Sequence, residues 1–375
     1  MKATGSPSYR YLMGNIACAE AAINAGCRFY GGYPITPSSE IMERMAVRLD
    51  QVGGRFIQME DEIASICAVI GASWAGLKAM TATSGPGFSL MQEAIGYAAW
   101  TETPCVIIDI QRAGPCTGQA TKVGSGDIMQ ARYGSHGDYT PIALSPWSAQ
   151  ELYDMTIKAF NLAERFRVPA LVMSDEAVGH LRENVRLHED FDVVSRKKKP
   201  GSAPFGTDDP DGVPPMPSFG EGENLMVTGS THDQWGFRKV DHPDTHARLV
   251  ERINRKIENG REDIIEVETG FMDDARVAVL AYGFTARSAV AAVKSARKRG
   301  GKAGFVRLKT LWPFPDREIE SCLGGVEKVF VPEMNRGQVA MMVRGCCGAE
   351  VIHYGQTDGR VIELETIEQE LGKLI

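Results

Sequence analysis

Short hydrophobic runs alternate with stretches of helical periodicity along the first half of the chain. The runs have the length of single strands, and the segment between two of them places Ile41, Met45 and Leu49 on one helix face. Strands that alternate with helices predict a parallel, doubly wound α/β sheet. The predicted strands are 27–32, 55–59, 78–82, 104–110, 141–146 and 169–175, and the predicted helices are 15–26, 38–51 and 148–166.

The alternation stops and later resumes. Residues 186–272 are rich in proline, glycine and charge and contain one predicted helix, over 243–260, which is typical of a connector that faces a partner. We therefore predict an α/β domain over 1–185, a connector over 186–272 whose basic run 196–199 lies in solvent, and a smaller α/β domain over 273–375. The later predicted elements are strands 275–283, 302–309 and 327–334 and helices 286–299 and 365–374.

Polar or glycine-rich residues directly follow four of the predicted strands. The carboxyl ends of parallel strands meet at one edge of a sheet, where open α/β folds bind their ligands. We therefore expect these loops to face one cleft. The residues concerned are Thr36, Glu62, the turn Ser84-Gly85-Pro86-Gly87 and Arg112.

Composition and charge narrow the class of protein. A chain of 375 residues with 43% hydrophobic residues is long and apolar enough for two α/β cores. Its formal net charge of −7 argues against nucleic acid as the main partner, because nucleic-acid-binding surfaces are basic. No apolar run reaches the length of a membrane span, and the first residues lack the pattern of a secretory signal. We therefore expect a cytoplasmic protein that binds no membrane.

Several well-known motifs are absent from the sequence. The eight cysteines form no C-x-x-C motif, so we expect neither an iron–sulfur cluster nor a metal site within this chain. No G-x-G-x-x-G follows a strand, no P-loop lysine occurs, and no G-x-S-x-G elbow is found. These absences argue against nicotinamide-dependent, nucleotide-hydrolysing and serine-hydrolase functions.

Glu62 begins a segment that is apolar on almost every side, which predicts a buried helix. The spacing places Glu62 on the same face as Ile66 and Val69. A carboxyl group on that face would lose part of its hydration, which favours the protonated form and suits proton exchange with a ligand nitrogen. Alternatively, Glu60, Asp61 and Glu62 only complement the positive end of the helix dipole.

The other strand-end residues also have two interpretations each. Thr36 precedes Pro37, so its hydroxyl either caps the helix 38–51 or binds a substrate oxygen. The guanidinium of Arg112 either binds a ligand carboxylate or pairs with a neighbouring acidic residue at the sheet edge. The turn 84–87 either lets a ligand ring or phosphate approach the backbone or simply joins a strand tightly to a helix.

Several motifs together resemble one enzyme family. They are YPITP (33–37), QMEDEIASICAVIGAS (58–73), TATSGPGFSLMQE (81–93), QRAGPCTG (111–118) and VPEMNRGQ (331–338). In this order they resemble the alpha subunit of the 2-oxoacid:ferredoxin oxidoreductases, most closely the branch that uses 2-oxoglutarate or branched-chain 2-oxoacids. The resemblance covers nearly the whole chain. It implies a thiamine diphosphate pyrimidine-binding domain followed by a domain similar to the C-terminal domain of transketolase.

The resemblance also assigns roles to the strand-end residues. Glu62 matches the glutamate that bonds the aminopyrimidine ring of thiamine diphosphate. Thr36 matches the residue that contacts the 2-oxoacid, and Arg112 matches the arginine that binds its carboxylate. The loop after Arg112 departs from the family's RGGPSTG pattern at Ala113 and Cys116, which puts details of the substrate pocket in question. The residues that would contact the cofactor are Glu62, Ser84, Gly85 and Pro86.

The implied reaction needs further components. It converts 2-oxoglutarate, coenzyme A and oxidised ferredoxin into succinyl-CoA, CO₂ and reduced ferredoxin, with 2-oxoisovalerate as the alternative substrate. The chain lacks the G-D-G and paired asparagines that hold Mg²⁺ and the diphosphate in thiamine enzymes. A beta subunit would supply that site and a [4Fe–4S] cluster. A gamma subunit and a ferredoxin-like delta subunit would complete the hetero-oligomer, and this chain alone would be inactive.

Two other interpretations compete with this one. The beta component of a lipoamide-dependent 2-oxoacid dehydrogenase, or a transketolase-like protein, has the same pair of domains and the same glutamate, but the motifs YPITP and QRAGPCTG argue against it. A non-catalytic scaffold would use the α/β domains only to bind partners. Replacement of Glu62 by glutamine would then leave turnover of the assembled complex unchanged.

Overall fold

A computed structural model describes residues 8–188 and 191–375 of the protein. Strands and helices alternate through the N-terminal unit, which we define as residues 8–188, as the sequence predicts. Its strands are β1 (Ser8–Met13), β2 (Cys27–Gly32), β3 (Arg55–Gln58), β4 (Lys78–Thr83), β5 (Cys105–Ala113), β6 (Gln119–Val123), β7 (Ile142–Leu144), β8 (Pro169–Asp175) and β9 (Arg182–Leu187). Its helices are α1 (Gly14–Asn24), α2 (Ser39–Gln51), α3 (Glu62–Trp74), α4 (Gly85–Trp100), α5 (Ile128–Tyr133), α6 (Ala149–Phe166) and α7 (Glu176–His180).

The middle segment (191–266) and the C-terminal unit (267–375) follow. The middle segment contains helices α8 (Pro243–Asn259) and α9 (Arg261–Ile264). The C-terminal unit contains strands β10 (Val267–Gly270), β11 (Val277–Ala281), β12 (Ala303–Leu308), β13 (Thr310–Trp312), β14 (Lys328–Glu333) and β15 (Glu350–Gly355) and helices α10 (Thr285–Lys298), α11 (Asp316–Cys322), α12 (Gln338–Arg344) and α13 (Leu364–Gly372). In the two described ranges, no helix has both the length and the apolar character that crossing a membrane requires.

The predicted strands and helices are confirmed to within a few residues at each end. The sequence did not reveal the antiparallel pair β1 and β9 or the short strands β6, β10, β13 and β15. Strands β6 and β9 each bury only one residue fully, so they lack the apolar pattern that marks a strand in the sequence. Their pairing depends on the strand beside them.

The sheet of the N-terminal unit has a parallel centre with strand order β7-β8-β5-β4-β2-β3. Helices α1, α2 and α6 pack on one face, and α3 and α4 pack on the other. The helices that follow the neighbouring strands β2 and β4 therefore leave on opposite faces. Such a change of side opens a crevice at the carboxyl ends of the strands, where doubly wound sheets bind ligands. The predicted α/β fold class is confirmed.

The C-terminal unit is a smaller α/β layer that shares its core with the N-terminal unit. Its sheet has the order β10-β12-β11-β14-β15, and only β10 runs antiparallel to its neighbour. Strand β13 pairs instead with β7 at the edge of the first sheet, with Thr310 opposite Leu144. Trp312 follows in the same strand, and its indole Nε1 donates a hydrogen bond to the carbonyl oxygen of Ile128 at 2.9 Å. The domain boundaries at 185 and 272 stay predictions.

The basic run 196–199 does not lie wholly in solvent, which corrects the sequence-based expectation. Arg196 is buried, its guanidinium forms an ion pair with Glu164 at 2.5 Å, and it donates a hydrogen bond to the carbonyl oxygen of Ser73 at 2.7 Å. Lys197 and Lys198 lie at the surface and pair with acidic residues of the middle segment. A buried guanidinium with this many partners packs the start of the middle segment against the N-terminal unit.

Candidate active site

The strand-end residues singled out in the sequence come together at the crevice between β2 and β4. Arg112 Nη1 donates a hydrogen bond to the backbone oxygen of Thr36 at 2.7 Å, which joins the ends of β5 and β2. A Cβ atom placed on Gly87 would lie 2.3 Å from Glu62 Oε1, so the start of α4 lies directly against the start of α3. The side chains therefore converge although they are far apart in the sequence.

Glu62 lies on a buried face of α3. It is 5% exposed, and Ile66 and Val69 on the same face are completely buried, as their spacing predicts. The opposite face is not buried, because Ile63 is 48% exposed and Cys67 is also exposed. The expectation of a helix buried on all sides is therefore wrong. Helix α3 presents an apolar face to the outside of this chain.

The two acidic residues at the start of α3, Asp61 and Glu62, have separate roles. Asp61 is the N-cap residue, and its Oδ1 accepts a hydrogen bond from the backbone N–H of Ala64 at 2.7 Å. The helix end is thus capped without Glu62. Burial raises the pKa of Glu62, and the charge of Asp61 adds to this effect, whereas the backbone N–H of Glu62 and the charge of Arg112 oppose it. A carboxyl group in this environment is suited to hold and exchange a proton.

The space in front of Glu62 is left open by Gly87. A side chain there would also come within 2.3 Å of Thr83 Oγ1. The hydroxyl groups of Thr83 and Ser84 are buried and have no hydrogen-bond partner among the described residues. Buried hydroxyls are rarely left without a partner, so polar groups of a ligand are the natural partners here.

The turn 84–87 has the properties of a close-approach site. Ser84 is the N-cap residue of α4, but its hydroxyl makes no capping hydrogen bond. Gly85 has a φ angle of 34°, a backbone conformation that favours glycine. A Cβ atom on Gly85 would lie 3.8 Å from Cγ of Arg112. The turn therefore joins β4 to α4 and also places half-buried backbone beside the buried Arg112.

Arg112 and Thr36 are not used in the structural roles that the sequence left open. No ion pair joins Arg112 to an acidic residue among those described, and its Nε is buried without an acceptor. Ser38, and not Thr36, is the N-cap residue of α2, and its side chain makes no capping bond. The Thr36 side chain is exposed at the crevice. Thr36 is thus not the N-cap residue of α2, and Arg112 forms no hydrogen-bonded ion pair among the described residues, although the charges of Asp127 and Glu62 act on it.

A cleft of about 590 Å³ opens beside Arg112 between the N-terminal and C-terminal units. One wall comes from the N-terminal unit and the other from the turn between β14 and α12. Asn335 Nδ2 donates to the carbonyl oxygen of Ser125 at 2.7 Å, and Gln338 Nε2 donates to that of Gly126 at 2.6 Å. These bonds hold the C-terminal wall against the loop 123–127. Residues that line the cleft include Pro86, Arg112, Cys116, Asp127, Asn335 and Arg336.

Sequence reasoning missed two acidic residues at this site. Asp109 is completely buried within β5, and Asp127 lines the cleft just before α5. A signal for Asp109 was present, because it is a lone acidic residue inside the apolar run 104–110. Asp127 lies in a loop whose sequence gives no such signal.

The described residues contain no cluster of three or more His, Cys, Asp or Glu side chains that could hold a metal ion. All eight cysteines are described, and all are free thiols. Cys116 is exposed at the cleft, whereas Cys18, Cys27 and Cys105 are buried.

Comparison with known proteins places this geometry in a family. Residues 20–252 match the family described as pyruvate flavodoxin/ferredoxin oxidoreductase, thiamine diphosphate-binding. Residues 275–367 match core domain II of pyruvate:ferredoxin oxidoreductase. The first match contains Thr36, Glu62, the turn 84–87 and Arg112, and the second contains the turn 334–338.

Individual relatives agree with the family matches. The 2-oxoglutarate synthase subunit KorA of Methanocaldococcus jannaschii is 52% identical over 364 residues, which cover 96% of this chain and 98% of the relative. The ketoisovalerate oxidoreductase subunit VorB of Methanothermobacter thermautotrophicus is 34% identical and covers 96% of both chains. A solved 2-oxoglutarate:ferredoxin oxidoreductase from Magnetococcus marinus, with 2-oxoglutarate, coenzyme A and succinyl-CoA bound, is 33% identical with a TM-score of 0.92. That structure matches 98% of this chain, which spans 65% of the solved chain. The protein therefore belongs to the 2-oxoacid:ferredoxin oxidoreductase family, as a relative of its thiamine diphosphate-binding alpha subunits.

Proposed function

We propose that this chain forms the pyrimidine-binding half of a thiamine diphosphate site and binds the carboxylate of a 2-oxoacid beside it. The observation that carries the proposal is the desolvated carboxyl group of Glu62, which caps no helix and faces the open space over Gly87. When it is bound, thiamine diphosphate supplies the electron sink that loss of CO₂ from a 2-oxoacid requires.

The residues around Glu62 fit the aminopyrimidine end of that cofactor. The Glu62 carboxyl group would hold a proton at an oxygen that faces the ring, and its raised pKa suits it to give and take that proton. The unpaired hydroxyls of Thr83 and Ser84 would bond the polar ring atoms, while Gly85 and Pro86 leave room for the ring itself. Nothing in the chain supplies the usual diphosphate motif, so that end belongs to another subunit.

Arg112 and Thr36 would bind the substrate. One N–H group of the guanidinium is fixed by its bond to the backbone oxygen of Thr36, and Nε is buried without an acceptor among the described residues. The guanidinium is therefore orientated and still able to bond a carboxylate. The Thr36 hydroxyl lies at the same crevice and would bond a substrate oxygen. Binding at a desolvated cation strengthens the attraction and orientates the carboxyl group that is to be lost.

We assign 2-oxoglutarate as the substrate, with coenzyme A as the acyl acceptor and ferredoxin as the electron acceptor. The support is the relative named 2-oxoglutarate synthase at 52% identity and the solved 2-oxoglutarate enzyme. 2-Oxoisovalerate is the second candidate, because a ketoisovalerate oxidoreductase subunit matches 96% of the chain at 34% identity. The runner-up interpretation, a lipoamide-dependent dehydrogenase component, has no support among these relatives.

The enzyme would act only as a hetero-oligomer. A beta subunit would supply Mg²⁺, the diphosphate site and a [4Fe–4S] cluster, and gamma and ferredoxin-like delta subunits would complete it. The exposed apolar residues next to Glu62 support a docking surface for the beta subunit, because Tyr33, Ile57 and Ile63 are each more than a third exposed there. The relatives are themselves named as subunits.

Reconstitution tests this function directly. The native complex should reduce a low-potential dye when 2-oxoglutarate and coenzyme A are supplied, and more slowly with 2-oxoisovalerate. The isolated chain should show no activity under the same conditions. Dye reduction that is faster with 2-oxoisovalerate would reassign the substrate, and full activity of the isolated chain would contradict the shared site.

A further inference from the structure

Two acidic side chains beside Arg112 have no role in the proposed function. Asp109 is completely buried in β5, and neither of its carboxyl oxygens has a hydrogen-bond donor among the described residues. Asp127 lines the cleft, and its Oδ2 is also buried without a donor. A buried carboxylate without donors is strongly unfavourable, so this arrangement needs an explanation.

The ordinary role of an aspartate at a helix start does not explain Asp127. It is the N-cap residue of α5, yet its side chain makes no capping hydrogen bond. Its backbone N–H donates to Oε1 of Gln111 at 3.1 Å, and Gln111 Nε2 in turn donates to the carbonyl oxygen of Ser174 at 3.0 Å. These bonds hold the backbone of Asp127 against the face of β5 that carries Asp109, because Gln111 and Asp109 are two positions apart in that strand.

Asp109 and Asp127 are buried at the same face of β5, and each acts on the protonation of the other. Burial and the charge of Asp127 raise the pKa of Asp109 well above its ordinary value. Burial also raises the pKa of Asp127 to about 6, and the hydrogen bond from Asp109 and the charge of Arg112 limit the rise. Ionisation of both neighbouring carboxyl groups is unfavourable because the two negative charges repel each other, so the pair retains one proton at neutral pH.

The charged surroundings of the pair come from four elements. Arg112 faces Asp127 from the end of β5, and Glu62 acts on the same guanidinium from α3. The backbone N–H of Gly85 at the start of α4 lies near both aspartates and favours their anions, although it forms no well-aligned hydrogen bond to Asp109. Arg336 lines the same cleft from the turn before α12. Arg112 is thus the cation that both Asp127 and the proposed substrate would attract.

We propose that Asp109 is a neutral carboxylic acid that donates its proton to the Asp127 carboxylate, and that this positioning pair sets how strongly Arg112 attracts the carboxylate of a 2-oxoacid. The inference rests on the proposed function of Arg112. An ionised Asp127 competes with the substrate for the guanidinium charge. The hydrogen bond from Asp109 disperses that negative charge and keeps the competition weak.

The protonation of the pair determines whether the affinity for the substrate carboxylate rises or falls with pH. As the pH falls through about 6, Asp127 takes up a proton, the competing charge disappears and the substrate carboxylate binds more tightly. We expect roughly a five-fold gain in affinity, because the charge is close to Arg112 but partly screened at an open cleft. Asp127→Asn removes the charge at every pH. It should bind roughly five-fold tighter near neutral pH and lose this pH response.

Replacement of Asp109 distinguishes a neutral acid from an ionised one. If Asp109 is neutral, Asp109→Leu removes a hydrogen-bond donor, so the midpoint of the pH response moves upward from about 6. Asp109→Asn restores a donor of the same shape and should return the midpoint to about 6. If Asp109 is ionised, both variants remove a negative charge beside Asp127, and the midpoint moves downward instead.

The experiment is calorimetric titration of the purified native complex with N-oxalylglycine, an amide analogue of 2-oxoglutarate that cannot lose CO₂. Wild type, both Asp109 variants and Asp127→Asn are compared from pH about 5 to about 8. Asp50→Asn is the control, because it also removes one negative charge but lies exposed near the end of α2. Glu62→Gln should keep the response if the aspartate pair causes it.

Each outcome has a defined meaning. An affinity in wild type that does not change across this range, or weaker binding by Asp127→Asn, would overturn the inference. A downward shift of the midpoint in Asp109→Asn would overturn it even if Asp109→Leu does not fold. Binding by Arg112→Ala that equals wild type would instead disprove the proposed carboxylate site, whatever the aspartates do.

Discussion

Two groups of buried charged residues lie at opposite ends of helix α4. The first, which we call the cleft group, lies at its N-terminal end and consists of Glu62, Asp109, Asp127 and Arg112. The second, which we call the anchor group, lies beyond its C-terminal end and consists of Glu102, Arg167, Arg252 and Lys256. The two groups contain the same kinds of side chain, yet they differ in how completely those side chains are bonded.

Both carboxylate oxygens of the anchor group have donors, and only Nη2 of Arg167 is buried without an acceptor among the described residues. The carboxylate of Glu102 is completely buried and accepts hydrogen bonds from Arg252 at 2.5 and 2.8 Å and from Lys256 at 2.7 Å. The Arg167 guanidinium donates to the carbonyl oxygen of Glu102 at 3.1 Å and to that of Pro204 at 2.6 Å. These bonds connect α8 and the proline-rich chain of the middle segment to the N-terminal unit.

The cleft group is bonded incompletely. Arg112 keeps a buried N–H group without an acceptor, and Asp109 keeps two buried oxygens without donors among the described residues. Such atoms destabilise the folded state unless a ligand or a shared proton satisfies them. The comparison teaches that the bonding of the buried carboxylates, and not their burial, separates the proposed binding site from the structural ion cluster in this protein.

Glu62→Gln should produce the largest effect. Glutamine keeps the shape of the side chain but cannot exchange a proton, so turnover of the assembled complex should fall about 10²- to 10⁴-fold. The melting temperature should change little, because Asp61 and not Glu62 caps α3. Steady-state kinetics and thermal unfolding of the same preparation check both parts. Turnover near that of wild type would favour a non-catalytic scaffold.

Glu102→Gln should have the next largest effect, and on stability instead of chemistry. It leaves Arg252 and Lys256 buried without a counter-charge, so the free energy of unfolding should fall by about 3–5 kcal/mol. Turnover per folded molecule should be unchanged, because Glu102 lies at the far end of α4 from Glu62. Denaturant titration with activity measured below the transition checks this. A loss of turnover without a loss of stability would contradict the assignment of Glu102 to a purely structural group.

The anchor group also predicts how stability depends on pH. The charges of Lys256 and Arg252 outweigh burial and hold the pKa of Glu102 far below its ordinary value. Its contribution is therefore complete above the pKa of the unfolded chain and is lost as the pH falls toward the folded value. Wild type should lose stability in acid more steeply than Glu102→Gln between pH about 5 and about 3. Equal slopes would show that this carboxylate is not the cause.

Arg112→Ala should have a smaller effect that is confined to the substrate. Loss of charged hydrogen bonds to a carboxylate should lower kcat/KM for the 2-oxoacid about 10- to 100-fold. Arg112→Lys keeps the charge but not the fork of N–H groups, so it should lie between alanine and wild type. Thiamine diphosphate affinity should be unchanged in both variants. Wild-type kinetics in Arg112→Ala would end the proposal of a carboxylate anchor.

Asp61→Ala should have the smallest effect. It removes the cap of α3 and should lower the free energy of unfolding by about 1 kcal/mol. Because Asp61 and Glu62 are adjacent, this variant shows whether turnover depends on any acidic residue at the start of α3 or on the Glu62 carboxyl group itself. We expect turnover within a few-fold of wild type, measured beside Glu62→Gln. A loss of turnover as severe as that of Glu62→Gln would mean that the helix start acts as a unit.

The sequence predicted much of the fold and the strand-end residues of the site. Apolar periodicity located the strands and helices of the parallel sheet, and the parallel direction placed Glu62, Arg112 and the turn 84–87 at one edge. It did not predict which acid of the triplet 60–62 would cap α3. Helix capping depends on where the helix begins to within one residue, and sequence periodicity does not resolve a boundary that finely.

Local pattern therefore determined the architecture, because strand and helix periodicity and the convergence of parallel strand ends are properties of short segments. Only the tertiary structure decided which buried charges have partners. Arg196 was predicted to lie in solvent, but it meets Glu164 across 32 positions of the chain, and Glu102 meets Lys256 across 154. Among the described residues, Asp109 has no comparable partner except Asp127, and Asn335 closes the cleft from a distant unit. The cost of burying a charge depends on such distant neighbours, and a one-dimensional pattern contains no information about them.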